Sequence, residues 1–353
     1  MKTTRLAQLA SLAVVGSMAL AACGSDNTTG TTSAEGSSSS ASASESAATE
    51  CFSGTINAEG SSAQKNAIEE AIASYGEACK DAKLNYNPTG SGAGIKQFTE
   101  GLVTFGASDA AMTDEQIAQV QGGVVLLPMT AGSIVLAYNL PGGPSDVRLS
   151  RDAYVGIFLG KVTRWNDPAI VATNPGTALP DTPITVVTRS DGSGTTFVFT
   201  THLAEISDAW KSGPGAGTSV QWPAGVGGKG NAGVTALLKQ TPGAIGYVEY
   251  GYAQQTGLTT ATLQNKSGAY VKADLKSGQA ALASVTLPEN LRAWIPDPAA
   301  AGAYPIVTYT WLLCHRKYDD AKVASALESD PSRRALELIC RMFMVQSSGV
   351  VLR

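Results

Sequence analysis

The sequence predicts an α/β protein, and three observations carry that prediction. The chain has 353 residues, which is enough for two domains at about 100–200 residues each. Hydrophobic residues make up 43% and charged residues 15%, with 38 Gly and 16 Pro, which indicates a globular chain rich in tight turns. Three segments each combine a short strand pattern, a small-residue loop and a helical pattern. Such units are typical of sheets covered by helices.

The first element is an export signal. Residues 1–22 combine Lys2 and Arg5 with an uncharged run of about 15 residues, shorter than the ~20 that a membrane-spanning helix needs. The run ends at Leu20-Ala21-Ala22-Cys23, which resembles a bacterial lipobox and implies lipid attachment at Cys23. Ordinary secretion is the alternative. We expect a protein exported and lipid-anchored to the outer face of the cell membrane.

The next segment is a flexible tether over residues 23–50. Residues 24–50 contain 14 Ser or Thr among 27 residues, with no aromatic side chain and no Lys or Arg. Such a segment buries too little apolar surface to offset the entropy of ordering, which predicts disorder.

Four cysteines follow the tether: Cys51, Cys79, Cys314 and Cys340. An even number in an exported chain predicts two disulfides. Closeness along the chain favours Cys51 with Cys79 and Cys314 with Cys340, although four cysteines permit three connectivities. A zinc site is the competing interpretation, but there is no close Cys pair and the chain has only two His, so we expect no metal.

The first strand–loop–helix unit begins with a strand at Thr55–Ala58 and the loop Gly60-Ser61-Ser62. Ser62 occupies the position expected of a helix N-cap. The apolar face of the helix carries Ile68, Ala71, Ile72 and Tyr75.

The other two units repeat this plan. In the second, the strand Leu84–Asn87 leads through the loop Thr89–Gly94 into a helix from Ile95. In the third, the strand Ile184–Thr188 leads through the loop Arg189–Gly194 into a helix. Helix N-termini carry unpaired N–H groups and the positive end of the helix dipole, so three of them with Ser or Thr hydroxyls favour an anion cradle. One such loop alone is equally explained by capping and turn geometry.

Two charged positions refine this hypothesis. Arg189 adds a permanent planar cation beside the third loop, and Asp191 is placed to orient it, although a surface ion pair is the alternative. Asp109 lies in the segment Phe105-Gly106-Ala107-Ser108-Asp109-Ala110, at the end of another short apolar strand. A carboxylate repels an anion unless that anion donates a proton, as monohydrogen phosphate does and sulfate does not. A cap or turn role is the alternative for Asp109.

Other functions find little support. A net charge of −4 and a pI near 5.3 give no basic field for nucleic acid. The glycine-rich segments Gly90–Ile95 and Gly225–Asn231 fail the dinucleotide and P-loop patterns. A serine hydrolase using Ser193 would need His202 or His315 as its base, and both histidines are interpreted as structural.

Seven motifs, in order, resemble the extracytoplasmic phosphate-binding proteins of phosphate-specific ABC importers, and the resemblance covers about residues 55–315. The motifs are Ser91-Gly92-Ala93-Gly94-Ile95-Lys96-Gln97, Phe105-Gly106-Ala107-Ser108-Asp109, Leu159-Gly160-Lys161, Trp165-Asn166-Asp167, Arg189-Ser190-Asp191-Gly192-Ser193-Gly194-Thr195, Gly227-Gly228-Lys229-Gly230-Asn231 and Pro242-Gly243-Ala244-Ile245-Gly246-Tyr247-Val248-Glu249-Tyr250.

The resemblance implies a two-lobed periplasmic-binding-protein-like fold of type 2. Each lobe would be a mixed sheet flanked by helices, with the ligand in the cleft between the lobes. The crossing segments would lie near Pro128–Asn139 and Tyr304–Leu313. Lobe I would comprise residues 51–130 plus 308–353, and lobe II residues 131–307.

The resemblance also implies the ligand set. From lobe I, phosphate would be held by Ser62, the Ala63 N–H, Ser91 and Asp109. From lobe II it would be held by Arg189, Ser193, the Gly194 N–H and Thr195, with Asp191 pairing with Arg189.

The chain departs from the family in two places. The first loop has Ser61-Ser62-Ala63 where the family commonly has Ala-Thr-Phe, so an aromatic wall is lost. After about Lys317 the likeness fades, and Ile339–Arg353 lacks the longer ending expected of the family.

We therefore expect a monomeric phosphate receptor, without enzymatic activity or cofactor, that delivers its ligand to the permease of an ABC importer. The alternatives are a receptor for another oxyanion such as sulfate, an exported hydrolase using Ser193, and an adhesin or signalling module that has lost binding.

Overall fold

The computed structural model describes residues 52–316 and residue 318. The predicted export signal, the tether, and Cys23, Cys51 and Cys340 lie outside the described residues. The disulfide pairings therefore stay predictions, with Cys79 and Cys314 both buried. No helix in the described part of the chain is both long enough and apolar enough to span a membrane.

Strands and helices alternate through most of the described chain. The strands are β1 (Gly54–Gly60), β2 (Ala82–Asn87), β3 (Phe105–Ser108), β4 (Val124–Asn139), β5 (Arg148–Leu149), β6 (Thr185–Arg189), β7 (Val226–Gly228), β8 (Ala244–Glu249), β9 (Thr259–Thr260), β10 (Thr262–Gln264), β11 (Tyr270–Val271) and β12 (Val307–His315). The helices are α1 (Lys65–Ala78), α2 (Ser91–Thr99), α3 (Asp114–Ala118), α4 (Arg151–Phe158), α5 (Pro168–Val171), α6 (Gly194–Ile206), α7 (Asp208–Ser212), α8 (Gly230–Gln240), α9 (Tyr250–Thr256) and α10 (Leu275–Leu282).

A mixed nine-stranded sheet forms the centre of the fold. Its strand order is β2-β1-β3-β12-β4-β8-β6-β7, with β9 also pairing with β4. The outer strands are parallel to their neighbours, whereas β4 and β12 are antiparallel to theirs. A small second sheet has the order β11-β10-β5. The predicted α/β class is confirmed.

Two long strands connect the halves of the sheet. Residues Val124–Ser133 of β4 pair with β12, and Ile134–Asn139 pair with β8. The ladder between β4 and β12 contains nine residue pairs, and its register shifts between Thr310 and Trp311. A hydrogen-bonded two-stranded ribbon therefore runs from one half of the sheet to the other.

Separate hydrophobic cores fill the two halves. Alternate residues of β12 face opposite sides of the sheet, as the twofold period of a strand requires. Leu312 packs in one cluster with α1, and Trp311 and Leu313 pack in another with α2. A larger cluster takes its members from Ile134 to Val307. We call the half with β1–β3, α1 and α2 the first lobe, and the half with β6–β8, α4, α6 and α8 the second.

Two helix starts differ from those predicted. Helix α1 has Gln64 at its N-cap, without a side-chain capping bond, so the prediction of Ser62 as N-cap is wrong and Ser62 stays in the loop. Helix α2 begins at Ser91 and not at Ile95. The small residues stay helical because α2 lies almost on β1: a Cβ at Gly94 would be 2.5 Å from the Gly60 Cα.

Candidate functional site

The loop after β1 is fixed by contacts from both lobes. The Tyr86 hydroxyl, from β2, donates to the Ser61 carbonyl at 2.6 Å, and the Tyr252 hydroxyl, from α9, donates to the Ser62 carbonyl at 2.8 Å. The Ala63 N–H donates to Ser61 Oγ at 3.0 Å. This N–H, expected to bind the anion, is therefore engaged inside its own loop.

The Ser62 side chain links the two lobes. Its Oγ accepts the backbone N–H of Asn231 at 3.1 Å and the Asn231 Nδ2 at 3.0 Å. Asn231 lies in the first turn of α8 and is fully buried. Its Oδ1 accepts the Glu249 N–H at 2.9 Å, and its Nδ2 also donates to Thr195 Oγ1 at 3.3 Å. Asn231 thus joins the first loop to two elements of the second lobe.

Asp109 is the buried carboxylate of the site, 3% exposed at the end of β3. Its Oδ1 accepts the Ser61 hydroxyl at 2.6 Å and the Thr310 hydroxyl at 2.9 Å. Its N–H donates to Ser91 Oγ at 3.1 Å. Burial raises the pKa of Asp109, although both hydroxyls and the charge of Arg189 act to lower it.

Arg189 and Asp191 form a two-pronged ion pair at the end of β6. Arg189 Nε donates to Asp191 Oδ1 at 2.8 Å and Nη2 donates to Oδ2, while the guanidinium is almost wholly buried. The Gly230 N–H donates to the same Oδ1 at 2.9 Å. Burial acts to raise the pKa of Asp191, but the bonds and charge of Arg189 outweigh it and lower the pKa. Arg189 Nη1 reaches Thr195 Oγ1 at 3.4 Å.

Helix α6 begins inside the site. Ser193 is its N-cap, and the Ser193 Oγ accepts the Thr196 N–H at 3.0 Å. The Thr196 hydroxyl bonds to the Tyr247 hydroxyl at 2.6 Å, and that phenol oxygen accepts the Arg189 N–H at 3.0 Å. These bonds fix the helix start against β6 and β8.

Glycines bring the starts of α2 and α6 together. The Gly92 N–H donates to the Gly192 carbonyl at 2.9 Å. Gly90 has a φ of 106° and approaches Asp191 so closely that a Cβ would lie 2.4 Å from Oδ2. A Cβ at Gly194 would lie 2.4 Å from Ser91 Oγ and 2.8 Å from Asp109 Oδ2. No side chain larger than hydrogen fits at these two positions.

The arrangement leaves four hydroxyl protons for a ligand. A hydroxyl has one proton and two lone pairs, and each of these oxygens already accepts an N–H donor. Within residues 52–316, no hydrogen bond gives their protons a protein acceptor. The four are Ser62, Ser91, Ser193 and Thr195. These protons and the Arg189 guanidinium are the donors that this part of the structure leaves available, and Asp109 Oδ2 is an available acceptor.

The described residues give no support to the other candidate chemistries. No hydrogen bond there joins Ser193 to an imidazole: His202 Nε2 bonds to the Tyr154 hydroxyl at 2.9 Å, and His202 Nδ1 to the Pro296 carbonyl at 2.6 Å. His315 stacks on an aromatic ring of the first lobe. Nor does any group of three or more His, Cys, Asp or Glu in that part of the chain form a metal site.

The predicted residues fall into two hydrogen-bonded groups. Ser91 bonds to Asp109, and Ala63 reaches the same carboxylate through Ser61. Arg189 bonds to Asp191 and Thr195, and this second group extends to Ser62 through Asn231 and to Ser193 through Tyr247 and Thr196. The partners Ser61, Asn231 and Thr310 lay outside the predicted ligand set. Asn231 stands in one of the motifs that carry the family resemblance, so the motif itself could have indicated it. Thr310 had no such signal, because it reaches Asp109 across 201 residues of chain.

Comparisons with known proteins identify the family of this chain. The family model for the PBP superfamily domain matches residues 22–328. The phosphate-binding protein PstS of Xylella fastidiosa is 40% identical over 242 residues, which are 68% of this chain and 66% of that protein. The chain thus spans slightly less than two thirds of that relative. Phosphate-binding protein PstS 3 of Mycobacterium bovis is 35% identical over 343 residues, 93% of this chain and 90% of that protein. This chain therefore belongs to the PstS family of phosphate-binding proteins.

A solved structure has the same fold. A phosphate-binding protein from Stenotrophomonas maltophilia superposes with a TM-score of 0.60 at 21% identity, covering 77% of this chain and 81% of that one. The fold of the chain is the two-lobed periplasmic-binding-protein fold of type 2, as the resemblance implied.

Proposed function

We propose that this protein binds inorganic phosphate in the cleft between its lobes, outside the membrane, and delivers it to an ABC importer. The observation that carries the proposal is the convergence of four hydroxyl donors and the Arg189 guanidinium around one buried carboxylate. Oxyanions take hydrogen bonds from such donors, and guanidinium adds a permanent charge. The family membership of the chain supports the same ligand.

Asp109 selects among oxyanions. Its Oδ2 is an acceptor in a site otherwise made of donors, so the ligand must bring a proton. Monohydrogen phosphate brings one, whereas sulfate would place two acceptors against each other in a buried site. Phosphate is therefore favoured over sulfate, molybdate and other fully deprotonated anions.

Closure of the lobes completes the site. Ser62, Ser91 and Asp109 come from the first lobe, and Arg189 and the start of α6 from the second. The bonds from Asn231 to Ser62 and from Gly92 to Gly192 exist only when the lobes meet. A ligand bound by both lobes favours the closed form because only closure brings every donor onto it. Binding involves no covalent step, so we propose no enzymatic activity.

The setting of the receptor follows from the sequence. We propose export, lipid attachment at Cys23, a tether over residues 23–50 and a monomeric receptor near its permease. The disulfides proposed are Cys51–Cys79 and Cys314–Cys340. The proposed lobe boundaries are residues 51–130 with 308–353, and residues 131–307.

Calorimetric titration tests the proposal. The mature chain carrying Cys23→Ala, stripped of bound anion, is titrated with phosphate and then with sulfate near neutral pH. We expect tight one-to-one binding of phosphate and little response to sulfate. Equal binding of both anions would make the protein a general oxyanion receptor, and binding of neither would refute the proposal.

A further inference from the structure

Two hydroxyl groups that belong to no predicted ligand set hold the carboxylate of Asp109. Ser61 and Thr310 are both buried, at 1% and 5% exposure, and both donate to the same oxygen, Oδ1. Ser61 comes from the loop after β1, and Thr310 from the ribbon strand β12. Two hydroxyls from different elements of the fold thus hold the carboxylate through its Oδ1.

The surrounding bonds direct the proton of Ser61 toward Asp109. Ser61 Oγ accepts the Ala63 N–H at 3.0 Å, which occupies a lone pair, and its only acceptor within the described chain is Asp109 Oδ1. Ser61 therefore places a donor on the side of the carboxylate away from Oδ2.

Thr310 is held in a similar way. Gln64, the N-cap of α1, donates from Nε2 to Thr310 Oγ1 and to the Trp311 carbonyl. The Thr310 proton then has two acceptors, the Asp109 Oδ1 at 2.9 Å and the Ser108 carbonyl at 3.3 Å. The shorter bond to a charged oxygen is the stronger one. The register shift in β12 falls directly after this residue.

The other carboxylate oxygen faces the cleft. It lies close to Gly194 at the start of α6: a Cβ added to this glycine would be 2.8 Å from Asp109 Oδ2 and 2.4 Å from Ser91 Oγ. No hydrogen-bond donor among residues 52–316 engages Oδ2, so it remains the acceptor for a ligand proton.

We propose that Ser61 and Thr310 are positioning residues that set the selectivity of this site for a protonated oxyanion, because they hold Asp109 charged with only Oδ2 presented to the ligand. The inference rests on the proposed function and extends it to two residues that need not touch phosphate.

The electrostatic surroundings explain why two donors are needed. Burial raises the pKa of Asp109, and the hydroxyls of Ser61 and Thr310 act against that increase. Arg189 on β6 also lowers the pKa of Asp109. Glu249 on β8, whose own pKa is raised by burial to about 7, interacts with Asp109 as a like charge when it is ionised. Tyr86 on β2 and Tyr252 on α9 face Asp109 as neutral phenols. Without the two hydroxyls, Asp109 takes a proton more readily and becomes a donor, which sulfate accepts.

The test is the pH dependence of sulfate affinity, because sulfate itself does not titrate between about pH 8 and about pH 5. The mature Cys23→Ala chain is compared with Ser61→Ala, Thr310→Val and the double variant by calorimetry. We expect weak sulfate binding throughout for the parent. In the double variant we expect the sulfate affinity to rise about tenfold or more as the pH falls from about 8 to about 5. This is the effect expected when the charged form of Asp109 loses a hydrogen bond.

Matched variants separate positioning from general damage. Thr308→Val removes another buried hydroxyl of β12, which bonds to a carbonyl of its own strand, and should match the parent. Thr310→Ser and Ser61→Thr keep the hydroxyl and should restore the parent profile. The single variants and the circular dichroism of each protein identify any variant that fails to fold.

The outcomes distinguish this inference from the proposed function. If the parent binds phosphate selectively and the double variant keeps the parent's sulfate profile, the positioning inference is wrong and the proposed function stands. A pH-independent rise in sulfate affinity would also overturn the inference, because it would indicate a loosened site. If the parent does not bind phosphate, the proposed function fails, and the inference fails with it.

Discussion

Replacement of Gly194 by alanine should block closure of the lobes without harming the helix that carries it. A Cβ at this position would lie 2.4 Å from Ser91 Oγ, 2.7 Å from Asp109 Cβ and 2.8 Å from Asp109 Oδ2. Both neighbours are buried in the first lobe, so neither side chain can easily move away. Ordinary contact begins near 3.4 Å, so the start of α6 must retreat by about 1 Å.

The magnitude follows from the donors that move with this helix start. Ser193 and Thr195 flank Gly194, and a displacement of about 1 Å turns good hydrogen bonds into poor ones. Bonds to a charged ligand contribute about 1.5–3 kcal/mol each, so the loss of two corresponds to at least about a 100-fold weaker phosphate affinity. Alanine favours helix formation over glycine, so thermal stability without phosphate should not fall.

Calorimetry and small-angle scattering measure the two parts of this prediction. Gly194→Ala should bind phosphate at least about 100-fold more weakly, and phosphate should no longer make the particle more compact. Gly278→Ala is the control: it also lies in a helix, α10, and its added Cβ meets only the Ser133 hydroxyl, at an ordinary 3.4 Å. Phosphate affinity of Gly194→Ala within about threefold of the parent would refute the steric argument.

Three further predictions concern the network and the fold. Arg189→Lys keeps the charge but loses the two-pronged bond to Asp191, so phosphate affinity measured by calorimetry should fall about tenfold to 100-fold; an unchanged affinity would contradict this. Asn231→Ala removes a side-chain bond to Ser62 across the lobes and should weaken phosphate affinity about tenfold. If only the thermal stability changed, the bond would not be one that holds the closed form. Burial lowers the pKa of His202 to about 4, so its contribution to stability is complete above about pH 6.5 and is lost as the pH falls toward 4. Thermal unfolding between pH 6.5 and pH 4 should show the free energy of unfolding fall by up to about 3 kcal/mol through this group. If a His202→Gln variant lost as much stability in acid, His202 would not be the cause.

The sequence predicted the strand–loop–helix units because each depends on local chemistry. Strand β3 needed only a short apolar run, and the loop that leads into α6 needed only small polar residues and glycine after a strand pattern. The start of α2 was predicted four residues too late, because a run of serine and glycine is typical of loops. Only the close approach of Gly94 to β1 explains why those residues are helical.

The site was predictable where its chemistry lies in contiguous motifs. Arg189 and Asp191 are two residues apart, and their pairing is as the sequence indicated. The partner of Ser62 was not predictable, because its bonds come from Asn231, 169 residues away. A hydroxyl in a loop predicts a hydrogen bond, but its partner depends on the way two lobes meet.

The ribbon of β4 and β12 has a consequence for the thermodynamics of capture. Its nine residue pairs form an ordered element across the junction between the lobes, so we expect opening and closing to bend that element and not to melt or order a loop. Ordering a flexible segment costs about 1–2 kcal/mol per residue, and here that cost is met once, during folding. Interaction energy from the anion is therefore available for affinity. Replacing solvent-exposed residues of β4 or β12 by glycine should therefore weaken phosphate affinity even if no contact to the ligand changes.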